Sequence, residues 1–111
     1  MNLNIKPKKP PKHLSKEGQA LWNKLLNEYS IEDEAGLLIL STAMEAFDRM
    51  REAQAIIKKE GMQVADRFGQ MKAHPLTVTE RDSRSAMMQA MKSLNLDLEP
   101  LNDRAGRPAG R

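Results

Sequence analysis

Between Asp33 and Gly61 the chain runs without a proline, and its one glycine in that span, Gly36, lies near the start. A helix over this stretch, about 27 residues, would be roughly 40 Å long. That is too long for a chain of 111 residues to bury evenly. Asp33 suits the N-cap, and Glu34 in the first turn meets the positive end of the helix dipole. Gly61 is expected to end the helix in the left-handed conformation glycine tolerates. Leu37, Leu40, Met44 and Phe47 form one apolar stripe; Ile39, Ala43, Ala46, Met50, Ala53 and Ile57 form another, a quarter turn or more away. Two stripes call for two packing partners, one an earlier helix of the same chain and the other a neighbouring protomer. A single wide stripe inside a three-helix monomer satisfies the same periodicity.

The flanking segments supply those partners. Ser15 is a good N-cap, and Leu14, Gly18, Leu21, Trp22, Leu25, Leu26 and Tyr29 recur at spacings of three and four, predicting a first helix over 15–29. Ser30-Ile31-Glu32 breaks that pattern. After Gly61, residues 62–73 alternate weakly and turn near Asp66 to Gly69, which reads as a short two-stranded hairpin with Gly69 at a positive-φ position. Such a hairpin is barely stable alone and must lean on the helices or a neighbour. His74-Pro75 opens a third helix, about 76–95, with Leu76, Ala86, Met87, Met88, Met91 and Leu94 as its apolar surface; Pro100 marks the end of compact structure. The expected architecture is mainly α, a three-helix core with a long central helix and a short β-hairpin between helices 2 and 3. Its expected divisions are an arm over 1–13, a helical core over 14–96 and an extended tail over 97–111.

One domain of this size has a modest core, and oligomerisation is a natural way to add buried area. The chain has no cysteine, which excludes disulfides and thiolate chemistry and fits a reducing compartment. No apolar run approaches the roughly 20 residues of a membrane span, so a soluble, unexported protein is expected. The net charge of +3 is unevenly spread. Residues 1–13 carry Lys6, Lys8, Lys9 and Lys12 with no acid (+4); 14–60 hold six bases and nine acids (−3); 61–96 hold five and three (+2); 97–111 hold three of each. Pro7, Pro10 and Pro11 keep the basic arm from forming helix. The arm can grip phosphates, or serve only as a solvated tail.

Catalytic chemistry is not in view. His13 and His74 lack a partner at ligand spacing, and there is no glycine-rich phosphate loop or nucleophile elbow. Glu45, Asp48, Glu52 and Glu60 lie among Arg49, Arg51, Lys58 and Lys59 at ordinary helix-surface spacings. The expectation is a protein that is not an enzyme and uses no cofactor or metal. A helix-turn-helix reading of the first two helices would lead into a groove with Glu32, Asp33 and Glu34, the wrong sign for phosphate. An antiparallel packing unit fits better. The candidates for DNA contact are the arm, Lys6, Lys8, Lys9 and Lys12, together with Arg81, Arg84 and Lys92 on the third helix, where a solvated face is the alternative. Leu37, Leu40, Met44, Phe47, Met50, Met88 and Met91 are the candidates for an oligomer interface. In the tail, Leu96, Leu98 and Leu101 are apolar anchors beside Arg104 and the extended Gly106-Arg107-Pro108; Leu98, Leu101, Arg104 and Arg107 are candidates for docking a protein partner, with a minor-groove arginine the weaker reading.

The order of these features resembles the small subunit of phage terminases. The likeness rests on the Pro-x-x-Leu opening at Pro11 to Leu14, Trp22 in the first helix, the long Leu/Ala-rich second helix and the Gly61 exit. It continues through His74-Pro75 and the closing Leu94-x-Leu96, Pro100 and Arg104. Asn95 stands where such chains often have glycine, and asparagine also tolerates a left-handed cap. The resemblance implies a non-enzymatic, ring-forming component of the DNA-packaging machinery, working in the cytoplasm of an infected or lysogenic bacterial host. Its implied partners are double-stranded viral DNA, bound at the packaging start, the large terminase subunit that carries the ATPase and nuclease, and further copies of itself. A helical adaptor that binds only protein is the second reading, and a monomeric DNA-binding regulator the third.

Overall fold

The computed structural model describes residues 9–94. Its elements are α1 (Lys16–Tyr29), α2 (Glu34–Glu60), β1 (Gln63–Ala65), β2 (Met71–Ala73) and α3 (Leu76–Ser93), the expected three helices with a hairpin between the second and third. Both predicted caps form. Ser15 accepts the Gly18 N–H at 2.9 Å and Asp33 accepts the Gly36 N–H at 3.0 Å, each satisfying an otherwise orphaned donor of a first turn. Ser30 ends α1 at φ 50°, ψ 48°, the left-handed cap more often filled by glycine.

α2 is the spine. α1 runs antiparallel along it, Gly18 lying against Asp48, and α3 returns antiparallel from the other end, where Gln54 Nε2 donates to Glu80 at 3.0 Å. Leu40, Met44 and Phe47 of the first stripe join Leu14, Trp22 and the half-buried Leu21, Leu25 and Leu26 in one cluster. The second stripe faces α3, the most extensive helix–helix contact in the chain, with Ala43, Ala46, Met50 and Ala53 buried. The expectation of two separate stripes is corrected: Ala43 and Met50 belong to the same cluster as the first stripe, so most of both stripes is used within the protomer as one wide face, while Leu37, Ile39 and Ile57 are half-buried. Periodicity measures the width of an apolar face and does not say whose side chains cover it.

The expectation for Gly61 also needs correction. Its φ of 96° is positive, but its ψ of 158° lies outside the left-handed helical well, in an extended region open to glycine almost alone. The chain must leave α2 extended to enter β1 at once, so the cap cannot curl back. The hairpin pairs Gln63 with Ala73, Val64 with Lys72 and Ala65 with Met71. Its turn is organised by Asp66, whose Oδ1 accepts the N–H groups of Phe68 (2.8 Å) and Gln70 (3.0 Å), with Gly69 at φ 82°. His74 then starts α3. Its Nδ1 accepts the Leu76 N–H at 3.0 Å, which leaves Nε2 as the protonated nitrogen, donating to Glu60 at 2.7 Å. The ring, 4% exposed, thus caps one helix and ties it to the end of another.

Candidate nucleic-acid interface

The arm leaves the body at a fixed point. Leu14 is buried at 4% exposure, and around it the chain is pinned to α2 by polar contacts. His13 Nε2 meets Glu45 at 2.7 Å; Asp48 accepts the Ser15 N–H at 2.7 Å and the Ser15 hydroxyl at 2.6 Å; Gln19 Nε2 donates to the Leu14 carbonyl at 2.9 Å. Glu45 and Asp48, expected to keep a helix face in water, instead reach across to hold the base of the arm. Sequence reasoning missed them because their partners lie 32 and 33 residues away, and no local spacing encodes that. Beyond this anchor Lys9 and Lys12 are exposed and form no ion pair among the described residues. Lys6 and Lys8 lie outside the described residues. The recess beside the anchor, about 360 Å³ and lined by His13, Leu14, Glu45, Asp48, Arg49 and Glu52, holds more carboxylate than base and does not suit an anion.

On α3, Arg81, Arg84 and Lys92 fall on one exposed flank, since steps of three and eight residues return close to the same side of a helix. Two of the three are engaged: Arg81 Nε lies 3.4 Å from Asp82, and Arg84 pairs with Glu80. Lys92 forms no ion pair among the described residues. The described end of the arm is held on the side of α2 that carries Glu45 and Asp48, whereas α3 meets α2 on the side that carries Gln54.

Of the residues assigned to an oligomer interface, Leu40, Met44, Phe47 and Met50 are buried in the protomer itself, Leu37 and Met91 are half-buried, and Met88 is 58% exposed between Arg84 and Lys92. A side chain already covered by its own chain has little surface to offer another. Large apolar side chains are left open on several elements among the described residues: Leu38 and Ile56 on α2, Met62, Phe68 and Met71 on or beside the hairpin, and Val78 and Met88 on α3. The tail residues Leu98, Leu101, Arg104 and Arg107 lie outside the described residues.

No curated protein and no solved structure matches the chain. A family model described as phage terminase, small subunit, does, over residues 18–100. That span runs from within α1 through α2, the hairpin and α3, well over half of the chain. The chain therefore belongs to the phage terminase small subunits, a family that serves viral DNA packaging.

Proposed function

We propose that the chain is the DNA-recognising component of a bacteriophage packaging motor: a non-catalytic, ring-forming subunit that binds double-stranded viral DNA at the packaging start and recruits and regulates the large terminase subunit. The pinned arm is the observation that carries this reading. A basic segment whose base is held by Leu14, Ser15 and Asp48 projects its lysines from the same place on every protomer, so a ring would carry a regular array of them. One arm of Lys6, Lys8, Lys9 and Lys12 makes few phosphate contacts; several arms acting on one duplex multiply them without any new chemistry. The exposed flank of Arg81, Arg84 and Lys92 is a second, weaker grip, because Asp82 and Glu80 compete for its arginines. Leu98, Leu101, Arg104 and Arg107 are proposed to dock the large subunit. The site of action is the cytoplasm of the bacterial host; among the described residues no helix is long and apolar enough to cross a membrane.

A titration of duplex DNA across salt concentrations tests the reading. Each phosphate contact contributes about −0.9 to the slope of log K against log salt. The wild-type chain is expected to show a slope several units steep. Changing Lys6, Lys8, Lys9 and Lys12 together to Glu should abolish binding while leaving the helical signal intact, and Lys92→Glu should weaken it less. A shallow slope, or an arm variant that binds like the wild type, would sink the arm as the DNA contact.

A further inference from the structure

We propose that the β1–β2 hairpin is a further contact with duplex DNA, Phe68 entering the minor groove as a wedge while Lys58, Lys59 and Arg67 meet the phosphates around it. The inference rests on the DNA-binding reading above and adds to the arm, which holds the duplex, an element that bends it.

The turn that carries Phe68 holds a fixed shape. Besides the two N–H groups that Asp66 Oδ1 accepts, the Gly69 N–H donates to the Asp66 carbonyl at 2.9 Å and the Asp66 N–H to the Gln70 carbonyl at 2.8 Å. This well-tied turn leaves its aromatic ring 80% exposed. Leu38 and Ile56 on α2 and Val78 and Met88 on α3 are open too, but they lie along helices and none is aromatic. Of the chain's four aromatic residues Phe68 alone is exposed, and it stands at the tip of a hairpin. A minor groove is only about 6 Å wide. An apolar side chain on a narrow tip fits there and can part a base step, which kinks the duplex.

Charge selects nucleic acid as the occupant. From Lys58 to Ala73 there are four bases, Lys58, Lys59, Arg67 and Lys72, against two acids, Glu60 and Asp66. Both acids are engaged: Glu60 accepts from His74 Nε2 at 2.7 Å, and Asp66 spends Oδ1 on the turn and lies 3.8 Å from Lys72 through Oδ2. Lys58, Lys59 and Arg67 are exposed and form no ion pair among the described residues. The Arg67 guanidinium sits over the Phe68 ring at 5.5 Å, so a ring that enters a groove brings a cation with it. A narrow minor groove concentrates the negative potential that attracts arginine. Lys58 and Lys59 stand at the root of the hairpin, in the last turn of α2. Strands of three residues put root and tip about 10 Å apart. Duplex DNA carries one charge per about 1.7 Å of axis, so root and tip both find phosphates. A protein partner would need carboxylates in register with three scattered cations, whereas a duplex offers an anion to each.

A short duplex labelled at its two ends with a fluorescent donor and acceptor reports bending by energy transfer and binding by anisotropy in one sample. The full-length wild type is expected to raise the transfer as it binds. Phe68→Ala should keep the helical signal, the sedimented mass and the salt slope, yet lose the rise in transfer and bind about fivefold or more weakly, and Phe68→Trp should restore both. Lys58→Gln combined with Lys59→Gln should flatten the slope of log K against log salt by about 2, at about 0.9 per phosphate. A Phe68→Ala variant that binds and bends the duplex like the wild type would overturn the wedge and leave the arm reading standing. A Phe68→Ala variant whose sedimented mass falls along with its DNA binding would overturn it in favour of a contact between copies. A wild type that binds no duplex would remove the DNA-binding reading, and this contact with it.

Discussion

Asp48 is the residue on which the local geometry turns. Its two carboxylate oxygens hold the Ser15 N–H and hydroxyl, and Ser15 in turn caps α1 through Gly18. Gly18 is required by this arrangement, because a Cβ built there would stand 2.6 Å from Asp48 Oδ1. In an exposed helix, glycine to alanine gains up to about 1 kcal/mol. Here the methyl group must displace a carboxylate fixed by two hydrogen bonds, whose loss costs about 1–3 kcal/mol. Gly18→Ala is therefore expected to destabilise the wild type by about 1–2 kcal/mol, a fall of several degrees in Tm. In an Asp48→Ala background the same change should stabilise. Urea unfolding of the four members of this cycle gives the coupling directly, and additive effects would show that Asp48 does not set the need for glycine. The caps at Ser15 and Asp33 were legible in the sequence because cap and acceptor sit three residues apart. Asp48 was not, because a partner in another helix leaves no mark on spacing.

Elements were legible in kind and nearly in extent, since proline-free runs, apolar periodicity and turn residues act locally. What a stripe packs against was not, and the conformation of a glycine was readable only as positive φ. Gly61 and Gly69 show the difference. Gly69, at φ 82° in an open turn with nothing within 4 Å of a built Cβ, occupies a region asparagine also visits. Gly61, at φ 96° and ψ 158°, does not. Gly69→Asn is expected to cost less than about 1 kcal/mol and Gly61→Asn about 1–3 kcal/mol. Thermal unfolding of the two variants checks this, and equal losses would contradict the assigned backbone. The candidate site divides in the same way. Its arm lysines were readable from charge and proline, whereas the anchoring of the arm and the exposure of Phe68 depend on contacts made, or left unmade, only in the folded chain.

At the scale of the molecule, the described residues form a spine with α1 and residues 9–13 on one flank, α3 on the other, and an uncovered hairpin between α2 and α3. The helices close most of their own core, and the chain's densest run of positive charge, Lys6, Lys8, Lys9 and Lys12, precedes α1. On the proposed function the single protomer is a weak actor and the assembly a strong one, since avidity grows with the number of arms that reach one duplex. Native mass spectrometry of the full 12.5 kDa chain mixed with duplex DNA at moderate salt tests this most directly. A closed assembly well above a dimer, carrying a duplex, is the predicted result; protomers or plain dimers that carry no DNA would contradict it.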